Sequence, residues 1–115
     1  MISKILNSLR ECKAPSFLTV LKRFGNFNNG PLSFPQKGWT LAADIPANNS
    51  GLYKKLDEID QLISKAGGRV YLAKDSRQSS QVFKKSYPRI KDWLKIKKEL
   101  DPNSIFMSDS FKRLL

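Results

Sequence analysis

Prolines and glycines cut this chain into pieces too short for any long element. Pro15, Pro46, Pro88 and Pro102 and the pair Gly67-Gly68 stand between the apolar runs. Gly25 to Gly38 is an irregular stretch with three glycines, two prolines and three asparagines. Proline pushes the residue before it out of the helical region, and glycine supplies the positive φ that turns and caps need, so each marks a boundary. No apolar run between these breaks approaches the roughly 20 residues of a spanning helix. At 115 residues the chain is one domain at most, with one modest core.

Between the breaks, hydrophobic spacing assigns the elements. Ile2, Ile5, Leu6 and Leu9 fall on one helical face, and the helix should end near Cys12. Ser16–Phe24 and Trp39–Ile45 are short and rich in β-prone residues, and the long loop between them argues against a tight hairpin. Asn48, Asn49 and Ser50 offer caps for a helix to about Ala66, with Leu52, Leu56, Ile59, Leu62 and Ile63 as its apolar stripe and Gly67 at its left-handed end. Gly68–Lys74 reads as a third strand. Ser76, Ser79 or Ser80 caps the next helix, Pro88 restarts it, and Asp101-Pro102 stops it. Ile90, Trp93, Leu94 and Leu100 form its buried face, and Ser108 begins a last turn. The expected order is α-β-β-α-β-α. That is an α+β chain matching a ferredoxin-like split βαβ plan with its first strand absent, an antiparallel sheet with helices on one face and a helical C-terminal tail. The missing strand would leave an open sheet edge, which suggests a piece of something larger and makes self-association through that edge an expectation.

The formal net charge is +11, from 21 Lys and Arg against 10 Asp and Glu. Such a balance invites a reading as a small basic module for nucleic acid or an acidic protein partner. The charges are dispersed, however. Phe83 to Leu115 holds nine bases and four acids, close to its share by length. That dispersion favours a solvated basic surface, or one facing an acidic partner, over a nucleic-acid patch. The chain has no histidine and one cysteine. Neither a triad built on histidine, nor an internal disulfide, nor the usual zinc site can be assembled from it.

The stretch from Gly67 to Arg77, GGRVYLAKDSR, is the richest in chemistry. Tyr71 offers a flat ring and a hydroxyl, and Lys74 offers a cation. The plainer alternative has Tyr71 in the core and Lys74 paired with Asp75 or Asp44. In a regular strand, residues three apart face opposite ways, so Tyr71 and Lys74 share a site only if the strand ends between them. Lys22 and Arg23, closing the first strand, could bring a second cation to the same place. Phe83 and Trp93 read as core residues.

These blocks occur in a distinctive order: LKRFG (Leu21–Gly25), PLSFP with GW (Pro31–Trp39), GGR with Y, AKDSR (Gly67–Arg77), YPR with W (Tyr87–Trp93), DP, and SD with RL (Ser108–Leu114). In that order the chain resembles the C-terminal part of the decaprenylphosphoryl-β-D-ribose 2'-oxidase-like FAD-linked oxidoreductases of the vanillyl-alcohol oxidase superfamily, over nearly all its length. The resemblance implies that residues 1–100 are the end of a substrate domain. Residues 101–115 would be a tail returning to an FAD-binding portion that supplies the cofactor. It implies oxidation of a sugar hydroxyl to a ketone by hydride transfer to flavin, with a sugar or polyprenyl-phosphate sugar as substrate. Tyr71 would contact FAD, Lys74 would reach both flavin and substrate as the catalytic cation, and Lys22 would line the substrate pocket. After GW the family's pocket carries Asn, a hydrophobic residue and Cys; here Thr40, Leu41 and Ala42 stand there, and Thr40 gives one hydroxyl in place of the two-sided amide. The chain alone would be inactive and free of FAD, it would bind no nucleic acid, and it would sit in the cytoplasm or at the periphery of a membrane. No metal is implied.

Overall fold

The computed structural model describes residues 1–13, 15–47 and 51–115. Helix α1 (Ile2–Glu11) is followed by strands β1 (Leu18–Phe24) and β2 (Gly38–Asp44), helix α2 (Leu52–Lys65), a 3₁₀ turn (Leu72–Lys74), and helices α3 (Ser80–Ser86), α4 (Ile90–Leu100) and α5 (Asp109–Leu114). The α+β class therefore holds, with a two-stranded antiparallel sheet. Leu18 lies opposite Asp44, Lys22 opposite Thr40 and Phe24 opposite Gly38.

The expected third strand does not form. Residues 68–71 run without a ladder, and the chain then tightens into the 3₁₀ turn. A strand exists only where a neighbouring edge takes its backbone groups. Here side chains take them instead: Gln36 Nε2 donates to the Gly67 carbonyl at 2.9 Å, and the Tyr87 hydroxyl to the Val70 carbonyl at 2.7 Å. The order is accordingly α-β-β-α, the 3₁₀ turn, then three helices, and the split βαβ plan lacks its last strand as well as its first.

Local signals placed most other boundaries. α2 ends at Ala66, and Gly67 has φ +76°. The Gly67 N–H bonds the Ser64 carbonyl and the Gly68 N–H the Ile63 carbonyl, closing a Schellman motif. Ser79 caps α3 by accepting from the Val82 N–H, and Ser108 caps α5 by accepting from the Phe111 N–H. The proposed caps Asn48, Asn49 and Ser50 lie outside the described residues.

The apolar stripes feed two small cores. One joins Ile5 and Leu9 of α1 to Ile59 of α2, with Leu41 of β2 packed against them. The other gathers Phe83, Tyr87, Ile90 and Leu114, with Leu32, Leu72, Trp93 and Leu94 around it. The radius of gyration is 15.5 Å, against about 13 Å for a compact chain of this length. Two cores side by side, spanning 46 × 32 × 23 Å, account for that extension. No helix among the described residues is long and apolar enough to cross a membrane.

Candidate functional site

The site is built where the loop before β2 meets the segment after α2. The Schellman turn aims residues 68–71 away from α2. A side chain at Gly68 would place its Cβ 2.7 Å from Ile63 Cγ2, so this exit needs glycine. The segment is then tied to the 31–36 loop. The Arg69 guanidinium donates to the Ser33 carbonyl at 2.6 Å and lies over the Tyr87 ring, 5.1 Å from its centroid. Tyr87 itself is fully buried. Burial pushes its hydroxyl up to about 12, against the opposing pull of Arg69, so it stays a neutral donor and pins Val70.

That anchoring presents Tyr71. The residue is 45% exposed, and its ring packs on Phe34 with centroids 4.8 Å apart, while Phe34 in turn meets Phe24 edge-on at 5.8 Å. The plainer alternative for Tyr71, a core tyrosine, is not what the chain adopts. An open apolar cavity of about 430 Å³ adjoins the ring, lined among others by Pro31, Leu32, Phe34, Tyr71 and Trp93.

Lys74 closes the 3₁₀ turn, its N–H bonded to the Tyr71 carbonyl at 3.1 Å. A turn with three residues per revolution brings residue 74 back over residue 71, which a strand could not do. Lys74 is exposed, and among the described residues neither it nor Lys22 has a carboxylate partner. Asp75, one candidate partner, is engaged elsewhere. Its side chain is 1% exposed and accepts from the Arg77 N–H (3.0 Å), the Gln78 N–H (2.8 Å) and Arg113 Nη2 (2.9 Å). Burial works to raise the Asp75 pKa, but these donors outweigh it and hold the carboxyl below its ordinary value. Nearby, Arg77 bridges Asp57 at 2.6 Å and Asp60 at 3.0 Å. Burial raises the Asp60 pKa against that pull.

Lys22 and Thr40 face each other across the β ladder, so their side chains project from one face. Phe24 shares that face by alternation, while Leu41 points the other way into the α1–α2 core. The chain Phe24–Phe34–Tyr71 thus links the Lys22–Thr40 pair to the 71–74 turn. No hydrogen bond joins Lys74 to Lys22 or Thr40 among the described residues. Phe34, Tyr87 and Arg113 were not singled out for the site from sequence, although the SFP, YPR and SD–RL blocks contain them. Their roles depend on contacts 17 to 38 residues apart, such as Tyr87 with Val70 and Arg113 with Asp75.

With this geometry in place, comparison with known proteins gives the affiliation. Residues 44–114 match the family model of D-arabinono-1,4-lactone oxidase, which covers more than half of the chain. The chain belongs to that family. The D-arabinono-1,4-lactone oxidase family consists of FAD-linked oxidases, and its matched region contains the 71–74 turn, Tyr87 and Arg113. Decaprenylphosphoryl-beta-D-ribose oxidase of Mycolicibacterium smegmatis is 44% identical over 99 residues, covering 86% of this chain and 21% of that protein. An uncharacterized protein in the mprA 5' region of Streptomyces coelicolor is also 44% identical, over 95 residues, covering 83% of this chain and 26% of that protein. The chain therefore spans about a fifth to a quarter of the length of these relatives.

Proposed function

We propose that this chain is the substrate-facing C-terminal part of an FAD-dependent oxidoreductase that oxidises a sugar hydroxyl to a ketone. The observation that carries the reading is a half-exposed tyrosine beside a lysine that has no carboxylate partner among the described residues, both at one 3₁₀ turn. Its own residues fit a planar, electron-accepting cofactor. The Tyr71 ring offers a flat contact and a hydroxyl, and an apolar cavity lies beside it. FAD, when bound, supplies the hydride acceptor for removing hydrogen from the sugar carbon.

This chain's residues have three tasks. Tyr71 positions the cofactor edge. Lys74 places a fixed cation where negative charge gathers during reduction, and in a water-poor site such a charge is worth far more than in solution. Lys22 and Thr40 hold the sugar's oxygens, with one hydroxyl at position 40. The likeness to the mycobacterial enzyme suggests a sugar carried on a polyprenyl phosphate, and the family model a sugar lactone. The single hydroxyl of Thr40 favours a pocket with fewer directed hydrogen bonds than an amide would give. In this reading residues 1–100 complete the substrate domain, and the partner is the FAD-binding portion of the same enzyme. It would cover the open edge of β1 and the outward-facing residues of the tail.

A chimera tests the reading. This chain replaces its 44% identical counterpart in the Mycolicibacterium smegmatis oxidase. We expect a yellow protein whose flavin is bleached by a sugar substrate. Lys74→Ala should keep the flavin and slow bleaching by about 100-fold. A yellow, folded chimera that bleaches equally fast with alanine at position 74 would refute the role of Lys74. One that no sugar alcohol bleaches would refute the reaction.

A further inference from the structure

We infer that Arg113 is a positioning residue for Lys74: by taking up the Asp75 carboxylate it keeps the Lys74 ammonium available to a ligand. The inference rests on the reading of Lys74 as the cation of the site, yet it concerns only this chain's own residues.

Asp75 directly follows Lys74 and ends its 3₁₀ turn. Its Oδ1 holds the backbone N–H groups of Arg77 and Gln78. Its Oδ2 is held by Arg113, which reaches from α5 and spans Asp75 Oδ2 at 2.9 Å and the Gln78 carbonyl at 3.0 Å. The planar fork holds two fixed acceptors with its donors already arranged, whereas an ammonium on its flexible stem is not pre-organised for both. Without it, Oδ2 would be a nearly buried anion in need of a cation, and leaving such a charge unpaired is strongly unfavourable. The other cations of the segment are committed: Arg69 to the Ser33 carbonyl and the Tyr87 ring, Arg77 to Asp57 and Asp60. Lys74 is the one that remains. It would be drawn onto Asp75, and its charge would be lost to the ligand. The helix at the end of the chain therefore decides whether the lysine is free.

The test uses the full chain and needs no flavin. Lysines are acylated at neutral pH with a limiting amount of acetic anhydride, and each site is read by mass spectrometry. A lysine drawn into an ion pair reacts more slowly, because less of it is the free amine. In the unaltered chain Lys74 should react as fast as the exposed Lys37. In Arg113→Gln, Lys74 should slow by about fivefold, the scale of a modest ion pair. In Arg113→Gln with Asp75→Asn, it should recover. Arg113→Lys, which keeps the charge but not the fork, should slow it part-way and serves if the glutamine variant does not fold. A slow Lys74 in the unaltered chain, or a folded variant at position 113 with Lys74 unchanged, would overturn the inference. A chimera that fails to bleach while this labelling pattern holds would count against the flavin reading alone.

Discussion

Tyr87 shows how much one side chain can decide. Its hydroxyl stands in for a missing strand partner at Val70, and its ring supports Arg69 from below. Tyr87→Phe keeps the ring and orphans that carbonyl, so it should destabilise the chain by about 1–3 kcal/mol, measured by urea denaturation. The same group gives a pH signature. Its folded pKa, about 12, lies above the ordinary 10.0. Its contribution is therefore fully present below pH 10 and is lost as pH rises towards 12. Stability should fall across that window, and Tyr87→Phe should flatten the slope; an unchanged slope would mean another group titrates there. Tyr71 and Lys74 stand out in the sequence as a flat ring and a cation three residues apart, and one turn can seat both only if the strand ends between them. What could not be read was the cause of that ending, because a hydroxyl seventeen residues away leaves no local mark.

At the scale of elements, the parts that sequence placed well are those fixed by neighbouring atoms. Gly67, Ser79, Ser108 and the Asp101-Pro102 stop each act within a turn of chain. The segment GRVYLAK has strand composition, but composition cannot supply an edge to pair with, and it became an irregular run and a 3₁₀ turn. Gly68 is the sharpest of the local requirements. Gly68→Ala would push a methyl into Ile63, with 2.7 Å to Cγ2 and 3.2 Å to the carbonyl oxygen. A loss of about 1–3 kcal/mol is expected, and thermal unfolding would measure it. Asp101 does more than stop α4. Its carboxylate receives the N–H groups of Ile105 (2.8 Å) and Phe106 (3.0 Å) and the Lys97 ammonium. Asp101→Ala should cost about 3 kcal/mol and raise amide exchange at residues 105 and 106; exchange confined to other residues would contradict this.

The whole molecule carries its apolar surface unevenly. Two modest cores coexist with Phe17, Ile105 and Phe106 at 88%, 74% and 80% exposure. The sheet stops at two strands, a size rarely stable without further cover. We therefore expect the chain by itself to associate with rising concentration through β1, and Leu21→Lys to weaken that association. Sedimentation that is independent of concentration would show the edge to be inert. The far end of the chain is quite different. The Leu114 side chain sits in the core with Phe83 and Tyr87, and its carbonyl accepts the Ser80 hydroxyl at 2.7 Å. Ser80→Ala should therefore loosen both helices together, read as faster amide exchange in α3 and α5 alike. A fluorophore set on α5 would accordingly report on α3 as well, since the two helices share one hydrogen bond and one core.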